Sequence, residues 1–290
     1  MPQDVTVSRS APAHRTALSH AYARLDEVCP WLRVTELAED ERLPEGPGWV
    51  TVAELAAGGA ALDTYLAWDA AQIRRDYGQQ GRPDVIAGFG LHRYAWYGCL
   101  LLTVPWFLDR RVPRLPVSEV TFHREQGHLA LRTGSFACLP DDPAAHQPGA
   151  RVVADEEALR TELLAALTEH LTPLLDRFGP LMRRRGRSLW GTATDEITDG
   201  LWTLGRMLGE EQRAREELTL LLPGGTLPYA GSAAFRELPA APGRAPELTR
   251  DRITCCLFYT LRPEEICQTC PRICDAERLA RRTRSAALAG

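Results

Sequence analysis

The 290-residue sequence contains no lysine, and all 34 of its Lys and Arg positions are arginine. Schiff-base nucleophiles, P-loop phosphate lysines and kinase-type strand lysines each need an amine or ammonium that a guanidinium cannot supply. PLP enzymes, P-loop NTPases and protein kinases are therefore excluded. A charge excess is also lacking: the 34 arginines face 38 acidic residues, for a formal charge of -4. That balance offers no general attraction to nucleic acid or to an anionic membrane. No apolar run reaches the roughly 18 residues needed to span a bilayer. The longest, Gly98 to Leu108, reads as buried core, so an integral membrane protein is not expected. The opening MPQDVTVSRSAPAHRTALSHAYARLDEVCP has no apolar core of the about 7–15 residues that a signal peptide needs, and the expected location is the cytoplasm. A dinucleotide-binding fingerprint is missing too, because Gly88-Phe89-Gly90 lacks the third glycine and lies in a run that reads as helix. No internal repeat is present.

What is present is an ordinary globular composition, 44% hydrophobic and 25% charged, with helical periodicity through most of the chain. Leu18, Tyr22, Leu25 and Val28 predict a first helix that stops at Pro30. Gly46-Pro47-Gly48 breaks the chain. Leu62, Leu66, Ala70 and Ile73 predict a second helix, ending at Tyr77-Gly78. Pro83-Asp84 opens a third, running through Val85, Phe89, His92, Trp96 and Leu100 toward Pro105. Its aromatic stripe reads as core, the alternative being a ligand-facing wall. Between Val117 and Cys138 the pattern changes to alternation, with Gln126-Gly127 as the turn of a hairpin. Residues 141–149 read as loop. Asp155 caps a long run carrying Leu159, Leu163, Leu167, Leu171, Leu174 and Phe178, which Pro173 is expected to kink or divide. Trp190, Ile197, Leu201, Leu204 and Leu208 give one more helical face. Pro223 to Pro246 is rich in Pro, Gly and Ala and reads as a linker or surface-hugging loop. The fold class expected is α+β, predominantly an α-helical body with a small antiparallel sheet and a C-terminal cysteine module.

Cysteine placement points to chemistry. Of the 8 cysteines, Cys255, Cys256, Cys267, Cys270 and Cys274 crowd into twenty positions near the C-terminus. Outside the cell such crowding would mean disulfides, whereas clustered thiols in the cytoplasm more often hold a metal. Cys29, Cys99 and Cys138 are scattered among apolar neighbours and read as core. The spacing C-C-x10-C-x2-C fits a 2Fe-2S cluster, with two cysteines per iron, better than a zinc site, which takes C-x2-4-C knuckles twice. A zinc knuckle and a thioredoxin-like pair at Cys267 and Cys270 are the alternatives. Adjacent Cys255 and Cys256 can share one target only if the backbone turns locally, because successive side chains of a strand point to opposite faces.

The C-C-x10-C-x2-C pattern resembles the signature of the FhuF-type ferric-siderophore reductases, 2Fe-2S proteins of bacterial iron uptake. Both the zero-residue first spacing and the C-terminal position match. A looser likeness lies in residues 186–201, GRSLWGTATDEITDGL, a mid-chain family segment in which a tryptophan opens a helix. By this resemblance, Cys255, Cys256, Cys267 and Cys270 are the cluster ligands and thereby the catalytic, cofactor-binding and metal residues. Cys274 would be a substitute ligand or a neighbour of the cluster. The linker divides the chain into an α-rich body at 1–246, with its small sheet around 117–138, and a cysteine module at 247–290; the resemblance makes the first the domain that binds the ferric siderophore and the second the 2Fe-2S module. The implied activity is transfer of one electron to a bound Fe(III)-siderophore, so that Fe(II) is released. Iron–sulfur potentials span about -700 to +450 mV, which suits the task. Electrons are expected from a ferredoxin or a separate reductase rather than from bound NAD(P)H. Before the cluster binds, the chain after about residue 247 is expected to be loose, since metal-site free energy is also folding free energy.

Two arginine groups are candidate partner surfaces, solvated charge being the plainer reading of both. Arg183, Arg184, Arg185 and Arg187 precede Trp190 and could meet an acidic chelate. Arg278, Arg281, Arg282 and Arg284 follow the cysteines and could attract an acidic ferredoxin. The rival functions are a non-enzymatic iron–sulfur carrier or a redox or iron sensor, and after them a zinc-stabilised binding module. A carrier leaves the large helical body without a purpose. A DNA-binding sensor lacks both the charge and a recognition helix, so no nucleic-acid partner is expected.

Overall fold

The longest helix organises the body. In the computed structural model, which describes residues 15–238 and 246–288, helix α4 (Pro83–Asp109) packs against α1 (Ser19–Val28), α3 (Ala60–Tyr77), α5 (Glu156–Leu181) and α6 (Arg187–Met207). It is apolar on nearly every side because it is enclosed on nearly every side, with Leu100, Leu101, Val104, Trp106 and Phe107 wholly buried. The stripe read as core is core only in part: Val85 and Leu100 are buried, Phe89 and Trp96 are half-buried against the core clusters, and His92 is exposed, while Tyr94 beside the stripe is the buried aromatic. Short helices α2 (Val52–Ala57), α7 (Glu211–Leu221) and α8 (Asp275–Leu288) complete the helical set among the described residues.

Neither Pro105 nor Pro173 ends its helix. Helix α4 runs through Pro105 and α5 through Pro173 and Pro180. A proline at 105 leaves the carbonyl of Leu101 without its helical donor. Tyr22 of α1 supplies the replacement, its hydroxyl donating to that oxygen at 3.0 Å. Local signals at the ends hold as expected: Gly78 closes α3 at φ 67°, and the Asp155 carboxylate accepts the Ala158 N–H at 2.9 Å.

The β structure is richer than one small antiparallel sheet. Strands β1 (Arg33–Leu37), β2 (Trp49–Thr51), β4 (Val120–His123) and β5 (His128–Arg132) form a sheet in the order β1-β5-β4-β2. The expected hairpin is β4–β5, with Val120 opposite Leu131 and Gly127 in its turn. Strand β1 joins it in parallel. Strand β3 (Arg111–Arg114) pairs with β6 (Ser135–Cys138), and β7 (Ala150–Val152) adds to β6 in parallel. Alternation reveals a strand but not its partner or direction, so these parallel pairs left no mark in the sequence pattern.

Cys29, Cys99 and Cys138 are buried, as their apolar neighbours implied. At the centre of the body, His170 of α5 bridges α4 and the segment after β3: its Nδ1 donates to the Leu115 carbonyl at 2.6 Å, and its Nε2 accepts from the Tyr94 hydroxyl at 2.7 Å.

The proline-rich stretch after α7 hugs the body. Tyr229 is buried, its hydroxyl donating to the Leu164 carbonyl at 2.9 Å. Part of the stretch is a strand, β8 (Phe235–Leu238), antiparallel to β9 (Glu247–Arg250). The boundary expected at 246/247 therefore falls between two strands of one hairpin, while residues 239–245 of the expected linker lie outside the described residues.

Candidate metal centre

One face of α6 receives the chain that leads to the cysteines. Thr192, Asp195, Glu196 and Asp199 recur at helical spacing and are turned toward the end of β9. Asp195 is fully buried and accepts from four donors: Arg250 Nη1 at 2.9 Å, Ile253 N at 3.0 Å, Thr254 N at 2.8 Å and Thr254 Oγ1 at 2.7 Å. Arg250, also buried, donates through Nε to Asp199 at 2.7 Å. Burial pushes the Asp199 carboxyl up, but Arg250 and Arg252 outweigh it and hold the group below the usual carboxylate range. Glu196, buried, meets His92 Nδ1 of α4 at 2.6 Å and raises the basicity of that half-exposed imidazole. Two glycines let the backbone come this close. A Cβ at Gly191 would stand 2.8 Å from Ile253 Cγ2, and one at Gly231, where φ is 76°, 2.5 Å from Ile253 Cδ1.

The adjacent cysteines lie between a bend at 253–254 and a turn that follows them. Leu257 takes a left-handed conformation at φ 63° and leads into a 3-10 turn at Phe258–Thr260. Its N–H points back at Cys255 Sγ, 3.5 Å away. The ten-residue spacer docks on α3 and α4: Leu261 packs with Ile73 and Val85, and Phe258 meets Tyr77 edge to face and Phe89 at a tilt. Gln79 Nε2 donates to the Leu261 carbonyl at 2.5 Å. A tight turn then closes Cys267 to Cys270, with Cys270 N donating to Cys267 O at 3.0 Å.

The turns bring Cys255, Cys256, Cys267 and Cys270 close to one another. Cys256 and Cys267 share a hydrogen bond that favours the thiolate on Cys256, aided by Arg252 and His92, and keeps the proton on Cys267. Burial pushes the Cys255 thiol up. Cys270 is buried and lies within electrostatic range of both Cys255 and Cys267. Cys274 is exposed at the start of α8, where its carbonyl accepts the Arg278 N–H at 3.0 Å. Among the described residues, no three His, Cys, Asp or Glu groups converge as a cage for a single ion.

The arginines are more structural than their exposure in the sequence implied. Arg278, expected on a solvated tail, has a side chain only 3% exposed; it donates to the Cys270 carbonyl at 3.0 Å and to Asp251 at 3.1 Å. Helix formation from Asp275 turns it inward, while Arg236 of β8 ties Asp251 to Asp275. Arg281 is paired with Glu277. The side chains of Arg282 and Arg284 lie outside the described residues. In the α5–α6 turn Arg184 donates to the Cys255 carbonyl and to Thr192, and Arg183, Arg185 and Arg187 are exposed. Sequence reasoning missed Asp195, Glu196, Asp199, Arg250 and Arg252. The only signal was three carboxylates on one face of an otherwise core-forming helix.

Beside Cys256 lies a hollow of about 20 Å³, lined also by His92, Arg184, Thr192, Glu196, Arg252 and Thr254. That is room for a water molecule, not for an organic ligand. Three clefts of about 550 to 630 Å³ lie elsewhere, and none has a cysteine in its lining.

Residues 252–272 match the family model of the FhuF 2Fe-2S C-terminal domain. No curated protein and no solved structure matches the chain. The cofactor indicated by this domain is a 2Fe-2S cluster. The donor set suits it: four thiols near one another are the number of sulfur donors that a 2Fe-2S cluster takes, two per iron. Among the described residues, no helix is long and apolar enough to cross a membrane.

Proposed function

We propose that the chain is a ferric-siderophore reductase in which Cys255, Cys256, Cys267 and Cys270 hold the 2Fe-2S cluster and the body docks the chelate. The observation that carries this reading is the match over 252–272, the same segment whose turns gather the four thiols. When bound, the cluster supplies a one-electron couple. The ferric chelate is the substrate: it takes one electron, and its hard oxygen donors hold the resulting Fe(II) far less tightly, so the metal dissociates. A ferredoxin or a separate reductase replaces that electron. No proton relay or nucleophile is required of the chain.

The residues around the thiols serve this chemistry by holding position and charge. Arg184 and Arg278 grip the carbonyls of Cys255 and Cys270, one in each pair. Asp195 fixes Ile253 and Thr254 immediately before the first pair. With only a water-sized hollow at Cys256, the chelate meets the site at the surface. Exposed Arg183, Arg185 and Arg187, on the turn whose Arg184 touches Cys255, favour an anionic one.

The test is a visible spectrum with iron and sulfide assays on anaerobically purified protein, before and after dithionite, followed by ferric hydroxamate and catecholate chelates. Two irons per chain, bleaching by reductant and stoichiometric reoxidation by one chelate class are expected. A red protein indifferent to every chelate would replace the reductase by an electron carrier or sensor, and a colourless zinc protein would overturn the cluster.

A further inference from the structure

Arg252 is placed unlike the other arginines of this site. Its side chain is only 9% exposed, yet its nearest carboxylate oxygens lie at 3.6 Å (Asp199), 3.8 Å (Asp195) and 3.9 Å (Glu196), beyond hydrogen-bonding distance. Those carboxylates have other donors: Asp195 holds Arg250, Ile253 and Thr254, Asp199 holds Arg250, and Glu196 meets His92. They keep the guanidinium in place by charge and leave it short of acceptors. Arg252 Nε is buried with no partner, a condition that is costly unless something relieves it. Of the residues lining the hollow beside Cys256, Arg252 alone carries such a buried, partnerless polar atom among the described residues.

We infer that Arg252 donates its guanidinium N–H groups to sulfur at the Cys256 corner of the filled site, and so sets how readily the cluster accepts an electron. This rests on the reading that the four thiols hold a 2Fe-2S cluster. A fixed positive charge beside an anionic sulfur centre stabilises the form with one more electron, and the low dielectric of a buried site strengthens the effect. Asp195, Glu196 and Asp199 moderate that charge without capturing its donors.

Midpoint potentials by dye-mediated titration, with resonance Raman spectra in H2O and D2O, test this on wild-type, R252Q and R252K proteins loaded with equal iron and sulfide. R252Q is expected to lower the equilibrium constant for reduction about tenfold, which is about 59 mV for one electron, and to lose the deuterium sensitivity of the Fe–S bands. R252K keeps the charge and is expected within about threefold of wild type. An R252Q potential within twofold of wild type, with unchanged bands, would overturn the inference and leave a water in the hollow as the partner of Nε. If R252Q purifies without iron, R252K decides alone: a tenfold fall there would overturn the inference. Failure of ferric chelates to reoxidise the protein would refute the reductase reading while leaving these potentials intact.

Discussion

Asp195 and Thr254 are joined twice, the buried carboxylate accepting both the backbone N–H and the hydroxyl of the residue that immediately precedes Cys255. This contact anchors the first cysteine pair to the body. Asp195→Asn keeps the shape, but it turns an amide toward donors and removes the charge that faces Arg250. Breaking a buried pair in this way is expected to cost about 3–5 kcal/mol. Hydrogen exchange should accelerate at residues 252–257 more than in α5, and the iron retained per chain should fall. Wild-type exchange and iron content would show that the anchor is dispensable.

The second anchor is Arg278, whose guanidinium holds the Cys270 carbonyl. Arg278→Gln should cost about 2 kcal/mol through the lost charged hydrogen bonds and release iron faster to a chelator. The salt dependence of reduction by an acidic ferredoxin should stay as in wild type, because the charge of Arg278 is already matched by Asp251 and Asp275. A flattened salt dependence with unchanged iron retention would restore this residue to a docking role.

The ligand set can be tested one thiol at a time. Serine at 255, 256, 267 or 270 should abolish or grossly alter the visible spectrum and lower iron and sulfide together. Cys274→Ser should leave all three unchanged, since Cys274 is exposed at the start of α8. Loss of cluster from the Cys274 variant would place that thiol in the set.

A pH dependence follows from His170. Burial holds its pKa below the ordinary histidine value, against the weaker opposing pull of the Leu115 carbonyl and Glu169, with the Tyr94 hydroxyl on its other nitrogen. The unfolded chain takes up this proton near pH 6.5, whereas the native chain resists it. Above that pH both states are neutral and His170 adds no slope; below it, the unfolded state binds more protons and stability falls as pH falls, by up to about 1.4 kcal/mol per unit. Urea midpoints at pH 7.5 and 5.5 should show a smaller drop for His170→Gln than for wild type. An equal drop would mean that other groups carry the dependence.

Local signals were legible wherever the chain itself supplies the partner. The Asp155 cap, the Gly78 stop and the turn at Gly127 act within a few residues, so periodicity and turn chemistry found them. Helices α2, α7 and α8 escaped notice. The first is only 6 residues long, and the last was read as a charged tail. The prolines misled because their consequence depends on a distant partner: Leu101 finds its donor in Tyr22, 79 positions away.

By itself, the sequence carried the signal for the cofactor: C-C-x10-C-x2-C is a local arrangement of thiols, and its spacing together with the family likeness pointed to a 2Fe-2S cluster. Helical content and most helix ends were likewise local. Only the tertiary structure decided what holds and charges that site. Asp195 meets Thr254 across 59 positions, Arg250 meets Asp199 across 51, and Arg278 turns inward because Asp251 and a carbonyl wait there. A buried ion pair needs both members brought out of water together, and no single stretch of sequence records which arginine will meet which carboxylate.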